Sequence, residues 1–295
     1  VNEQQAAKMG HGRGFVAALD QSGGSTPKAL KEYGIAENRY GSDAEMFDLV
    51  HAMRTRIITS REFTGGRILG SILFEQTMDR EIDGLGAAEY LWQAKEIVPF
   101  LKVDKGLAEQ QDGAQPMKPI GGLDELLDRA RKHPIFGTKM RSVIHLADQA
   151  GIDAVLDQQF SYAKTILAAG LVPIIEPEVD ITSLQKAAAE TLLLAGILQR
   201  LETVPDGQQV MCKLSLPTEA GLYADLTKNS RVLRVVALSG GYERDEACQL
   251  LSKNPGVIAS FSRALTQGLS AAQSDKEFDQ TLDTSIAEIY QASVG

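Results

Sequence analysis

The sequence predicts an α/β chain of the (β/α)8 type, a TIM barrel forming a single domain over residues 1–295. Three observations predict it. Short apolar stretches of strand character recur eight times, each closing on a polar residue. Helical stretches separate them without a break. The connections are short, and no low-complexity linker divides the chain.

Taken in order, strand one is Gly14–Asp20, with Val16, Ala18 and Asp20 on one face because side chains alternate along a strand. Gln21–Ser25 follows as a turn, its Gly23-Gly24 pair set between Ser22 and Ser25. Such a segment is most often a plain turn, and it is also how a loop offers hydroxyls and N–H groups to a phosphate. Ser42 caps a helix running to about Ser60, with Glu45 three residues on and an apolar stripe of Met46, Leu49, Val50 and Met53. Strand two is Ile68–Glu75, and a short helix lies near Ala87–Lys95. Strand three is Val98–Lys105, where Lys102 and Asp104 share a face with Val98 and Phe100.

A helix over Leu123–Lys132 precedes strand four, Phe136–Arg141. Gly137, Lys139 and Arg141 share its inward face, the glycine leaving space beneath the two cations. A long helix, Asp153–Ala169, stops at Gly170. Strand five is Leu171–Glu178, with Ile174, Glu176 and Glu178 on one side and Pro177 marking the passage to a loop. A helix over Ser183–Leu201 leads to strand six, Gln209–Pro217. Val210, Cys212, Leu214 and Leu216 form its apolar face, and Met211, Lys213 and Ser215 the other. A helix at Glu219–Asn229 precedes strand seven, Leu233–Ser239, which ends in Gly240-Gly241. A helix at Arg244–Lys253 is stopped by Asn254-Pro255. Strand eight is Val257–Arg263, and a helix over Asp275–Ser293 closes the chain.

Composition excludes several function classes. A net charge of −9 and a pI near 5.1 argue against nucleic-acid binding, which wants a basic face. No apolar run approaches the roughly 18 residues of a membrane helix. The first residues lack a basic-then-apolar secretory pattern, and Cys212 and Cys248 make neither a disulfide framework nor a metal spacing. Both points lead us to expect a cytoplasmic protein.

In a (β/α)8 barrel the site lies at the C-terminal ends of the strands. The candidates are therefore Asp20, Glu75, Lys102 with Asp104, Lys139 with Arg141, Glu176 with Glu178, Lys213, Ser239 and Arg263. His11, His51, His133 and His145 fall in loops or helices, so no zinc site is expected. A carboxylate Mg²⁺ site would compete with the nearby lysines and arginines.

Lys213 has two readings. A buried lysine is most often simply paired. Beside another cation such as Lys139 it would shed its proton more readily and could add to a ketone as a Schiff base. The iminium so formed is an electron sink, which permits C–C cleavage without a metal or cofactor. Glu176 and Asp20 are the candidate proton donors and acceptors. Ser239, Gly240 and Gly241, with Arg263 beside them, offer a phosphate its hydroxyl, N–H and guanidinium partners. Ser22 and Ser25, with Lys102 or Arg141, could hold a second phosphate.

These residues resemble class I (Schiff-base) fructose-bisphosphate aldolase, most of all its shorter bacterial branch. The resemblance rests on Ala18–Ser25, Lys102–Gly106, Lys139–Arg141, Ile175–Glu178, Lys213, Leu238–Gly241 and Ser262–Leu265, which span nearly the whole chain in the family's order. It implies Lys213 as nucleophile, Glu176 as acid/base in carbinolamine chemistry, Asp20 on the C4 hydroxyl proton and Lys139 as an aid to proton transfer. It implies Ser239, Gly240 and Arg263 on the phosphate of the dihydroxyacetone phosphate half, and Ser22, Ser25, Lys102 and Arg141 on the other. The implied partner is a phosphosugar, and the animal members' tetramers leave a homo-oligomer open.

The sequence departs from the animal pattern at Gln21, where animals have Glu, and at Ser262, where they have Gly. Leu214-Ser215 replaces Pro-Asn, and the given sequence closes on Gln291–Gly295 rather than on a tyrosine-bearing tail. Such changes leave tagatose 1,6-bisphosphate or fructose 1-phosphate open as substrates. The competing readings are a metal-dependent aldolase or isomerase on the same barrel, and a silent barrel scaffold.

Overall fold

The eight predicted strands are all present in the computed structural model, which describes residues 2–295, and they pair side by side in chain order. They are β1 Phe15–Leu19, β2 Ile68–Leu73, β3 Val98–Lys102, β4 Gly137–Ile144, β5 Val172–Val179, β6 Val210–Ser215, β7 Val232–Leu238 and β8 Val257–Ala259. Every pairing along this row is parallel. The ring closes where Ala18 N–H donates to the Phe261 carbonyl at 3.1 Å.

The main helices are α1 Glu3–His11, α2 Ser25–Glu32, α3 Asp43–Thr59, α4 Glu75–Met78, α5 Leu123–Lys132, α6 Gln149–Ala168, α7 Lys186–Leu201, α8 Ala224–Lys228, α9 Arg244–Leu251, α10 Arg263–Thr266 and α11 Asp275–Val294. Among the described residues no helix is long and apolar enough to cross a membrane.

Strand alternation produces two apolar regions. The outward faces, among them Leu19, Leu101, Ile175 and Cys212, pack against the helices. The inward faces fill the lower barrel with Val16, Ile72, Phe100, Phe136, Ile174 and Met211. The space left by Gly137 is taken by Phe100. A Cβ there would lie 2.1 Å from the Val172 carbonyl oxygen and 3.0 Å from the Phe100 ring. Phe100 in turn meets Phe136 edge-on at 5.5 Å.

Helix α1, which the sequence reading left out, plugs this interior. Asn2 caps it by accepting from Gln4 N–H at 3.0 Å and Gln5 N–H at 3.1 Å. Met9 joins the inner cluster with no exposure. The Arg234 guanidinium holds the helix end through the Met9 and Gly12 carbonyls, both at 2.9 Å.

Several strand ends differ from expectation. β2 stops at Leu73, and Glu75 opens α4 instead of joining the barrel mouth. Its carboxylate pairs with Lys105 and Arg129, each at 2.7 Å. β3 stops at Lys102, so Asp104 lies just past it. β8 has three residues, and Arg263 starts α10. β5 runs through Pro177 to Val179. A proline is tolerated there because the β5–β6 ladder is confined to Ile174 and Ile175, leaving the strand beyond them paired on one side only.

Candidate active site

The upper ends of β1, β4, β5 and β6 turn four charged side chains into one row. Asp20 Oδ2 lies 2.6 Å from Lys139 Nζ. Glu176 Oε2 lies 2.9 Å from Lys139 Nζ, and Glu176 Oε1 lies 3.0 Å from Lys213 Nζ. All four are buried: Asp20 is 7% exposed, Lys213 4%, and Lys139 and Glu176 3% each. Isolated charges at such depth are costly, so the alternation of signs is what makes the row tenable.

Lys139 and Lys213 do not sit on adjacent strands, as their expected proximity supposed. β5 runs between β4 and β6, and its Glu176 carboxylate bridges the two ammonium groups. Lys213 therefore has a proton acceptor already in contact. Burial alone would raise both carboxyls. For Asp20 the ammonium groups of Lys139, Lys213 and Lys102 outweigh it and hold the carboxyl well below the usual carboxylate range. Lys139 and Lys213 do the same for Glu176. Lys139, penalised by burial, is nonetheless raised by Asp20 and Glu176. Both carboxylates are thus charged at neutral pH.

Glu176 is also held through its backbone. Its N–H donates to Oε1 of the fully buried Gln159 of α6 at 2.9 Å. The Gln159 amide then donates to Ser142 Oγ at 3.0 Å. Sequence reasoning missed Gln159, because a glutamine in an amphipathic helix carries no sign of pointing inward.

Above the row is a cavity of about 890 Å³. Of the predicted residues, Asp20, Ser22, Ser25, Lys102, Lys139, Arg141, Glu176, Lys213, Ser239, Gly240 and Arg263 all line it. Gly241 instead borders a neighbouring cavity of about 280 Å³ behind Arg263. Lys102 Nζ lies 2.8 Å from both Ser22 Oγ and Asp104 Oδ1. Arg141 Nε donates to Glu178 Oε2 at 2.6 Å. Ser25 Oγ, at the start of α2, accepts from Ser22 N–H at 2.9 Å and so closes the turn. Gly240 has φ +63°, and a Cβ there would lie 2.7 Å from Ile181 Cγ2, so both conformation and space call for glycine. Lys28 and Lys118 also line the cavity and were not singled out from the sequence. Among the described residues no three His, Cys, Asp or Glu side chains group as metal ligands.

A barrel with a buried lysine against a carboxylate, under a cation-lined mouth, is a fold and site of the carbonyl-chemistry class acting on small anions. Comparison with known proteins gives the family. The profile of fructose-bisphosphate aldolase class-I matches residues 2–183. A curated fructose-bisphosphate aldolase class 1 from Synechocystis sp. is 61% identical over 293 residues, covering 99% of this chain and 98% of the relative. The chain belongs to the class I fructose-bisphosphate aldolase family.

Two solved structures share its fold. One is a Plasmodium falciparum fructose-bisphosphate aldolase in complex with TRAP and a small-molecule inhibitor. It has TM-score 0.77 and 21% identity, and covers 98% of this chain and 92% of that one. The other is an archaeal fructose-1,6-bisphosphate aldolase whose catalytic lysine carries the carbinolamine intermediate. It has TM-score 0.53 and 10% identity, and covers 97% and 98%.

Proposed function

We propose that this chain carries out the reversible aldol cleavage of fructose 1,6-bisphosphate to dihydroxyacetone phosphate and glyceraldehyde 3-phosphate, through a Schiff base on Lys213. The observation that carries the reading is the buried row Lys213–Glu176–Lys139–Asp20 beneath a cation-lined cavity.

Lys213 gives a proton to Glu176, and its nitrogen lone pair bonds to the C2 carbonyl carbon. Glu176 returns that proton to the former carbonyl oxygen, takes a second from the adduct's nitrogen and passes it to the same oxygen, which leaves as water while the nitrogen lone pair forms the iminium. Asp20 then takes the C4 hydroxyl proton while the C3–C4 electron pair moves toward the iminium nitrogen. The aldehyde departs and an enamine stays on Lys213. Protonation at C3 and addition of water release the ketone. Lys139, touching both Asp20 and Glu176, holds their charge through these transfers. Ser239, Gly240 and Arg263 take one phosphate. Ser22, Ser25, Lys102 and Arg141 take the other. We place the reaction in the cytoplasm, a reading supported by the free thiols of Cys212 and Cys248.

The test is a trap. The protein is incubated with dihydroxyacetone phosphate, reduced with borohydride, digested and mapped by mass spectrometry, with and without a chelator. An adduct on Lys213 that survives the chelator is expected. No adduct, together with cleavage that a chelator abolishes, would sink the reading.

A further inference from the structure

The barrel has a seam, and the two proposed phosphate loops stand on either side of it. Among the described residues β8 and β1 share no strand ladder. Their junction is the Ala18–Phe261 backbone bond, and the Ala259 N–H is taken by Ser293 Oγ of α11 at 3.0 Å. Directly above that junction the Gln21 side-chain amide donates to Ser262 Oγ at 2.7 Å. Gln21 sits between Asp20 and Ser22, and Ser262 immediately precedes Arg263. This one contact ties the loop carrying the proton acceptor and the serine turn to the loop carrying the phosphate arginine.

Arg54 of α3 fixes the amide's orientation. Its guanidinium is 1% exposed and has no ion-pair partner among the described residues. It donates to Thr77 Oγ1 at 2.8 Å, to the Gln21 carbonyl, and to Gln21 Oε1 at 3.4 Å. A guanidinium can only donate, so the Gln21 oxygen must face it and the NH2 group is left to face Ser262. Burial lowers Arg54 to about 10, with Asp20 acting the other way, so it stays charged at neutral pH. A buried cation without an acid partner is expensive to keep. Here it holds the loop that carries Asp20.

We propose that Gln21 and Ser262, oriented by Arg54, form a clasp across the barrel seam that sets the separation of the two phosphate loops, and so favours a sugar phosphorylated at both ends over one phosphorylated at one end. These are positioning residues, and the inference rests on the aldolase reading above.

The test compares Gln21→Ala, Ser262→Ala, the double variant and Ser262→Thr on fructose 1,6-bisphosphate and fructose 1-phosphate. Each alanine variant is expected to raise KM for the bisphosphate about three- to tenfold with kcat unchanged, the weight of one hydrogen bond. The double variant should be no worse than either single one, because both remove the same contact. Ser262→Thr, which keeps the hydroxyl, should restore KM. KM for fructose 1-phosphate and the melting temperature should stay put. Equal losses on both sugars, additive losses, or no change at all would overturn the clasp. Failure of the aldolase reading shows separately, as an unmodified protein that forms no Lys213 adduct with dihydroxyacetone phosphate.

Discussion

Glu176 touches two ammonium groups at once, so replacing it with glutamine separates charge from shape. Glu176→Gln keeps the volume but leaves Lys213 without a proton acceptor, and kcat for cleavage should fall about a hundred- to a thousandfold. A steady-state assay with borohydride trapping would show the deficit as slow adduct formation; a variant within threefold of the parent would remove Glu176 from the proposed role. The same row makes stability depend on acid. Asp20 and Glu176 are held below their ordinary values, so their pairing adds stability that is fully present above about pH 4, near the unfolded carboxylate value, and is lost as the pH falls toward the lower folded values. The melting temperature of the parent should therefore drop more steeply as the pH falls from about 4 to about 2 than that of Asp20→Asn/Glu176→Gln. Parallel curves would contradict it. At this scale the sequence was informative where strand alternation decides direction, as with Lys139, Glu176 and Lys213. It was silent where a partner comes from a helix, as with Gln159 and Arg54. Gln21 and Ser262, two separate departures from the animal pattern, bond to each other, which no reading along the chain could reveal.

Among elements, β4 shows how one missing side chain sets a strand's course. Gly137→Ala would drive a methyl into the Val172 carbonyl, part the β4–β5 ladder at its base and push against Phe100. We expect a loss of about 3 kcal/mol in urea unfolding, with overpacking as its cause. A loss below about 1 kcal/mol would mean that the ladder yields more easily than its geometry implies. Strand existence was legible throughout, because fully apolar runs bounded by turn residues leave few alternatives. Ends were less so. A polar residue after an apolar run reads as a strand end, yet Glu75 and Arg263 belong to the first turns of α4 and α10. Pro177 read as a stop, but one-sided pairing lets β5 continue through it. The Asn2 cap and Glu3 were available in the sequence as a helix start, and attention to them would have found α1.

Across the whole molecule, barrel closure was legible from the count and order of the strands, whereas the seam was not. Ladder pairing depends on where β8 ends, and its three residues are fewer than the apolar run that contains them. The acidic chain with a basic mouth, by contrast, could be read at once, and it bears on how substrate arrives. A sugar bisphosphate far from the surface meets a body of net charge −9 and is repelled; close to the opening it meets Lys28, Lys102, Lys118, Arg141 and Arg263. Salt weakens the distant repulsion before the near attraction, since screening reaches about 30 Å at 0.01 M and about 10 Å at 0.1 M. The second-order rate of capture should then climb with added salt, pass through a maximum and decline, where a uniformly basic protein would show decline alone. A monotonic fall in kcat/KM with ionic strength would mean that the mouth's field outweighs the body's at every distance.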